Sequence, residues 1–380
     1  MTTNTMEFSI SANTLITALS RVIGLVNKTA ISEYLSCVKL SIKEGQLLIE
    51  ATNMDALSDT WIDLEGSNSN GAICVDAHSL FAIITKYPKN NLIDFSIDNT
   101  AGTLKMLNIK CGKSKVEIAT LDAEHFPETL GTAEGVVVSI PKEELRFLIK
   151  KVEGCIYHNE TRYNINGMLL DFKAGEGRIY GISTDGHRLA YAFVENKTIT
   201  EDIKVTIPRK MVLELKKILE SEDGNVKMII SEAKVTFEFG SSRFTTKLID
   251  AEFPDYNRVI PKDYTDYFSV NTKGFFNAID RVSSIYSAGT NEIGVRLNIS
   301  SNAVKITSTK DINRSFDELI ATFTKDEEMQ IMCNFLYIKE ILQCFDSNEV
   351  KFFVKDSNFP MVAKDTDNPN FFYVIMPMKI

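Results

Sequence analysis

One apolar pattern occurs three times in this chain, at a constant interval of 130 residues. It ends at Val22 in TLITALSRV, at Val152 in ELRFLIKKV and at Val282 in GFFNAIDRV. Leu15, Leu145 and Phe275 align without a gap, as do Ala18, Leu148 and Ala278, and then Leu19, Ile149 and Ile279. The i, i+3, i+4, i+7 spacing marks one apolar face of a helix. Asn13 is placed to open the first copy, and Pro141 precedes the second. A second set follows about 60 residues later: AICVDAHSLFAII, KVTIPRKMVLEL and QIMCNFLYIKEI. Each reads as a short strand and then a helix opened by Asp76, Pro208 or Asn334. A third set closes at Pro127, Pro254 and Pro377. Three landmarks in three copies imply a triplicated unit.

Between the helices, apolar and polar residues alternate. Val38, Leu40 and Ile42 in VKLSI, Val235, Phe237 and Phe239 in KVTFEF, and Val304 and Ile306 in VKITST read as half-buried strands. The expected fold class is α+β: three domains, each with two helices on one face of antiparallel sheets and six to eight strands. Loop signals near residues 128–135 and 257–265 set the expected boundaries at 1–132, 133–260 and 261–380.

Composition narrows the function. No apolar run reaches the roughly 20 residues of a membrane span, so no membrane partner is expected. MTTNTMEFSI has neither a basic start nor an apolar core, so no secretory signal is expected. The six cysteines form no C-x-x-C pair and read as reduced thiols of a cytoplasmic protein. GSNSNGA lacks the lysine of a P-loop, GEGRIYG misses the dinucleotide spacing, and the histidines at 78, 125, 158 and 187 have no metal-ligand spacing. No metal or cofactor is expected. The net charge of −9 is not the usual signature of a protein that wraps nucleic acid.

The octapeptide STDGHRLA (183–190) gathers an acid, a histidine and an arginine around one glycine. Strand character on both sides makes Asp185-Gly186 a hairpin turn, both positions favouring φ > 0, with His187 and Arg188 projecting from it. A hydrolase would need a nucleophile or metal converging on His187, and the sequence nominates none.

RYNINGMLLDF, STDGHRLA, IPRK, KLIDAEFPDYNRVIP and the terminal YVIMPMKI resemble, in order, the signatures of the bacterial DNA polymerase III beta subunit family, the sliding clamps. The resemblance runs from Met6 to Ile380, leaving Met1–Thr5 as a short extension. It implies a head-to-tail homodimer closed into a ring around double-stranded DNA. The ring would be bound without sequence specificity and would have no exonuclease or other catalysis of its own. Expected partners are the DNA polymerase III alpha subunit, the clamp loader, repair polymerases, mismatch-repair proteins and ligase. The expected place is the cytoplasm, with the nucleoid.

A sliding ring needs only weak inward contacts, because topology retains it and fixed phosphate contacts would hold it in place. That reconciles the acidic chain with basic inner helices. Lys142, Arg146 and Lys150 form one candidate stripe; Arg209, Lys210, Lys216 and Lys217 form another; Arg21 and Arg281 hold equivalent places in the other copies. Ordinary solvated helix surface is the competing reading. By similarity, Asn159, Tyr163 and Asn164 face the DNA. The first and third domains are expected to pair through SKVEIAT, with Val116 and Ile118, against the helix end at Ile285 and Tyr286 before the loop SAGTNEIG.

The family resemblance assigns STDGHRLA to a cleft that receives partner peptides. Thr184, Gly186, His187, Arg188 and Leu189 would form one wall, with Ile165, Pro254, Arg258 and Val259 in the adjoining pocket. Asn334, Tyr337, Val374, Met376, Pro377 and Met378 would close it, beside Asn358, Phe359 and Pro360. Two rival classes remain open at this point: an enzyme acting on DNA through Asp185 and His187, and a stand-alone DNA-binding protein.

Overall fold

The computed structural model describes residues 6–27, 32–64, 70–98, 105–128, 130–220, 224–286, 293–309 and 314–379. The Met1–Thr5 extension, residues 66–69 of GSNSNGA and residues 287–292 of SAGTNEIG lie outside the described residues. The described residues form 24 strands and six α-helices: α1 (Ala12–Val22), α2 (Ala77–Ile84), α3 (Lys142–Val152), α4 (Arg209–Ile218), α5 (Thr272–Ser283) and α6 (Phe335–Leu342). Each repeat supplies two of the helices.

The apolar stripes are buried where the repeat puts them. Leu15, Leu145 and Phe275, Ala18, Leu148 and Ala278, Leu19, Ile149 and Ile279, and Val22, Val152 and Val282 are all core residues. Helix α1 packs on α2, and α5 on α6. Asp76 and Asn334 cap their helices as expected, accepting from the N–H of Ser79 at 2.8 Å and of Leu336 at 2.9 Å. Helix α1 is the exception. Its cap is Ser11, whose hydroxyl accepts from the Thr14 N–H at 3.1 Å, while Asn13 already lies in the first turn. The strand Glu7–Ser11 runs straight into the helix, so the last extended residue takes the capping role.

The strands form two antiparallel sheets of twelve. One compact unit, Met1–Glu143 with Leu213–Leu248, holds the sheet that runs from Glu7–Ser11 to Val136–Pro141. The other, Glu144–Val212 with Ile249–Ile380, holds the sheet from Ile203–Pro208 to Met329–Asn334. Consecutive repeats therefore join edge to edge within a sheet. Ala56–Asp63 pairs with Ser242–Lys247 in the first unit, and Arg188–Glu195 pairs with Phe371–Ile375 in the second. At the first join the fully buried Asp59 is bonded by the Arg243 guanidinium, which also lies 5.2 Å over Trp61.

Two strands are paired along only part of one side. In Ser114–Asp122, only Thr120, Leu121 and Asp122 pair with the strand Gly71–Asp76, so among the described residues 114–119 present an open edge. In Phe316–Phe323, only Ala321, Thr322 and Phe323 pair with Tyr267–Asn271, and 316–320 are open in the same way. No helix among the described residues is long and apolar enough to cross a membrane.

Candidate functional site

The strands Arg178–Thr184 and Arg188–Glu195 pair with Thr184 opposite Leu189, and the turn between them closes by side-chain bonding. The Thr184 hydroxyl donates to the Arg188 carbonyl at 2.7 Å. Asp185 Oδ1 accepts from the N–H groups of His187 and Arg188 at 2.9 and 3.0 Å. Only Gly186 takes positive φ, at 89°, contrary to the expectation of two such residues. The loop is longer than the two-residue turn expected, and the Asp185 carboxylate supplies the bend instead. The positive φ favours glycine here, whereas a Cβ would meet only the movable end of Arg162, 2.6 Å away at Nη1.

Arg188 does not project from the turn, as expected, but is buried. Its Nε meets Asp185 Oδ2 at 2.9 Å, Nη1 meets Glu340 Oε2 at 2.6 Å, and Nη2 donates to the Gly154 carbonyl at 2.7 Å. The guanidinium lies 4.3 Å over the Tyr337 ring. Two carboxylates and an aromatic face draw it inward and tie the hairpin to α6. The His187 ring faces Tyr337 at 6.4 Å, and its carbonyl accepts from the Met376 N–H at 2.8 Å, anchoring the C-terminal segment.

Beside the hairpin lies a cavity of about 390 Å³. It gathers Ile165, Thr184, Gly186, His187, Arg188, Leu189, Pro254, Val259, Val374 and Met376 from the expected set. It also includes Arg162, Phe253, Asp255 and Tyr256, which sequence reasoning missed, and Asn164, which it assigned to DNA. Ile165, Leu189, Phe253, Tyr256 and Val374 belong to one buried apolar cluster with Ile182. Below the cavity the Tyr256 hydroxyl donates to Asp171 Oδ2 at 2.9 Å, and Lys173 and Lys204 each stand 3.6 Å from that carboxylate. Burial first, and then the Asp171 carboxylate, push the Tyr256 hydroxyl far above its ordinary pKa, so it stays a donor. The signal for Tyr256 lies within DAEFPDYNRVIP, between the expected cleft residues Pro254 and Arg258.

The remaining expected cleft residues sit elsewhere. Arg258 lines a neighbouring depression of about 370 Å³, together with Phe359 and Pro360. Asn334 is buried and spends its side chain on the α6 cap. Tyr337 acts behind the wall, through Arg188 and His187. Pro377 and Met378 are not part of the cavity wall, and the Met378 N–H is bonded to Met332 O at 2.7 Å.

The candidate cations divide. Arg21 is buried, its Nη1 donating to Ser242 Oγ at 2.9 Å, so it does not face DNA as expected. Lys142 is buried too and leaves the proposed stripe. Arg21 falls where α1 meets the strand Ser242–Lys247. Arg146 and Arg209 are half-buried, while Lys150 and Lys210 are exposed. Lys150 stands 3.6 Å from Asp346, and Arg281 2.6 Å from Asp317. Lys217 pairs with Glu214 at 2.8 Å. Asn159 caps the short turn 160–165 that carries the exposed Tyr163 and half-buried Asn164.

Val116 and Ile118, both partly exposed, lie on the open edge 114–119. On the third repeat, Ile285 is half-buried, and Tyr286 is engaged internally. Its hydroxyl bonds Gly294 O at 2.5 Å and its ring stacks on Phe335. The exposed apolar groups there are instead Phe316 and Ile320, on the second open edge.

Residues 6–130 match the family model of the DNA polymerase III beta subunit N-terminal domain, 139–255 its central domain and 257–379 its C-terminal domain. The chain belongs to the DNA polymerase III beta subunit family. The beta sliding clamp of Pseudomonas aeruginosa is 29% identical over 376 residues, covering 99% of this chain and 100% of its own. That of Escherichia coli K12 is 27% identical over 375 residues, with the same coverage. The solved sliding clamp of P. aeruginosa bound to griselimycin matches with a TM-score of 0.92 at 28% identity, over 99% of this chain and 100% of that one. The griselimycin-bound clamp of Bartonella birtlesii matches at 0.91 and 30%, with the same coverage. This member of the beta subunit family is a DNA sliding clamp, a non-catalytic processivity subunit of DNA replication. The DNA-acting enzyme and the stand-alone DNA-binding protein are thereby set aside.

Proposed function

We propose that two copies of this chain close head to tail around duplex DNA, and that partner peptides dock in the cavity beside the 183–190 hairpin. The cavity carries the reading: an apolar trough of about 390 Å³, walled by Ile165, Leu189, Val259, Val374 and Met376, with His187 and Arg162 at its rim. It suits a short segment with a glutamine near its start and an apolar pair near its end. Each apolar anchor contributes roughly 1.5–3 kcal/mol, which after ordering costs gives micromolar affinity for a free peptide. The segments belong to the alpha subunit, the clamp loader, repair polymerases, mismatch-repair proteins and ligase. The work is done in the cytoplasm, at the nucleoid.

Domain boundaries at 132/133 and 260/261 are part of the proposal. So is a DNA-facing set of Arg146, Lys150, Asn159, Tyr163, Arg209, Lys210 and Arg281, from which the burial of Arg21 and the place of Asn164 in the cavity wall remove those two. The ring closes through the open edge 114–119 of one copy against 316–320 of the other, an unlike pair of surfaces that closes by rotation. Calorimetric titration of such a peptide into the intact protein and into a chain lacking Met376–Ile380 tests the cleft. The truncation removes Met376 from the wall and the Met376–His187 tie, and binding is expected to vanish while the dimer persists. Undiminished binding in a folded truncated dimer refutes the assignment.

A further inference from the structure

The cavity does not end at Met376. The depression of about 370 Å³ shares Val259 and Met376 with it, and a third, of about 100 Å³, shares Ile260, Pro261, Lys262 and Tyr264 with the second. The three make one furrow along residues 258–264. Its chemistry changes along the way. The first part is apolar. The second is lined by three cations, Arg258, Lys262 and Lys355, against one anion, Asp263. The third adds Lys364.

These cations are not equally engaged. Arg258 stands 3.1 Å from Asp255. Among the described residues Lys262, Lys355 and Lys364 have no carboxylate partner. Instead Lys355 Nζ lies 4.7 Å over the Phe359 ring and Lys364 Nζ 4.9 Å over that of Phe353. In a chain of net charge −9 this is a local excess of cations, Arg258, Lys262, Lys355 and Lys364 against Asp263 and the nearby Asp356, whose charge also bears on the Tyr264 hydroxyl. Tyr264, which lines both the second and the third depressions, supplies an independent observation. Its hydroxyl oxygen is buried and has no hydrogen-bond partner among the described residues. A donor in that position lacks an acceptor, and a native structure rarely leaves one so without a reason.

We infer that the furrow beyond Met376 takes an acidic flank of the docked partner peptide, its carboxylate held by Lys262, Lys355 and the Tyr264 hydroxyl. The inference rests on the peptide-cleft reading above and adds a specificity element to it. Partners carrying Asp or Glu beside the apolar pair would hold the clamp more tightly than neutral ones, by a charge-assisted contact that salt weakens.

The test uses synthetic peptides with the same glutamine-plus-apolar-pair core: one bare, and others extended by two glutamates or by two glutamines at one end or the other. Titrated into the intact protein at low salt, the glutamate form is expected to bind roughly three- to tenfold tighter than the glutamine form. The end that gives the gain fixes the direction in which the segment lies. The gain is expected to disappear at high salt and in Lys262→Gln/Lys355→Gln, and to shrink in Tyr264→Phe. The bare peptide is expected to bind all forms alike, which shows that the variants are folded and the cleft intact. Equal affinity of the glutamate and glutamine forms for the intact protein, or a gain that survives the double lysine variant, overturns the inference while leaving the cleft standing. Failure of the bare peptide to bind the intact protein overturns the cleft reading and this one with it.

Discussion

Phe316 and Ile320 are 71% and 88% exposed on an open strand edge, a poor arrangement for a free chain and a good one for a buried contact. Burying a whole Phe or Ile side chain is worth roughly 1.5–3 kcal/mol, so the two, scaled by their free surface and with alanine as reference, supply about 2–4 kcal/mol per interface. A closed two-chain ring has two such interfaces. Phe316→Ala/Ile320→Ala is therefore expected to lose about 4–8 kcal/mol of dimerisation free energy, roughly 10³- to 10⁶-fold in Kd. Sedimentation across a dilution series reads the loss. The thermal unfolding of the dissociated chain should barely change, because both side chains are already exposed. The sharper step is mixing. A chain altered at Phe316 and Ile320 keeps its 114–119 edge, and one with charges at Val116 and Ile118 keeps its 316–320 edge. Each alone is expected to be monomeric, and an equimolar mixture to form an open dimer through one intact contact. A double alanine variant that stays dimeric at submicromolar concentration refutes the edge assignment. A mixture that remains monomeric refutes the head-to-tail pairing.

Two further outcomes are expected. Alanine at Arg146, Lys150, Arg209 and Lys210 should shorten retention on circular duplex DNA without altering the dimer, whereas Arg21→Ala should lower stability through lost packing and the Ser242 bond; indifference of retention to the four changes counts against the inner-helix set. Burial pushes the Cys37 thiol up to about 11 and Cys74 up to about 12 from 9.0, so between those values and 9.0 the unfolded chain releases protons that the folded one keeps, and stability must fall as pH rises through that window. The drop in urea midpoint from about pH 8 to about pH 10 should accordingly be smaller in Cys37→Ala/Cys74→Ala than in the parent; an identical drop removes these thiols from the account.

The triplication was legible because each copy repeats the same helix face, and burial selects that face directly. Leu15, Leu145 and Phe275 occupy one core position in three settings. What the pattern could not carry was the joining of repeats within sheets. Alternation specifies which face of a strand is buried, but not which strand lies beside it, and the bonds between Ala56–Asp63 and Ser242–Lys247 link residues as far apart in the chain as Thr60 and Ser242 or Ala56 and Thr246. The same blindness hid Phe316 and Ile320. They share the exposed face of their strand with Glu318 and Thr322, and an alternating pattern does not say whether an apolar pair on a strand faces the core or a partner.

The hairpin that first drew notice shows how a site can look catalytic and not be. An acid, a histidine and an arginine do meet at residues 185–188, but the acid and the arginine are spent on each other and on the surrounding protein, and the His187 ring lies against Tyr337. The Asp185 carboxylate accepts two backbone N–H groups and the Arg188 Nε, and Arg188 spends its remaining charge on Glu340 and the Gly154 carbonyl. A general acid or base must keep a lone pair or proton free toward its substrate. Here the charges of Asp185 and Arg188 are spent on the protein itself, and most of the surface offered to the cavity is apolar, from Ile165, Leu189, Val259, Val374 and Met376, with Arg162, His187 and Asp255 also in its lining. Charge that is fully paired behind an apolar wall makes the wall stiff. A stiff trough binds a flexible peptide with less ordering cost on the protein's side. The residues that look like a reaction centre are the frame of a docking site.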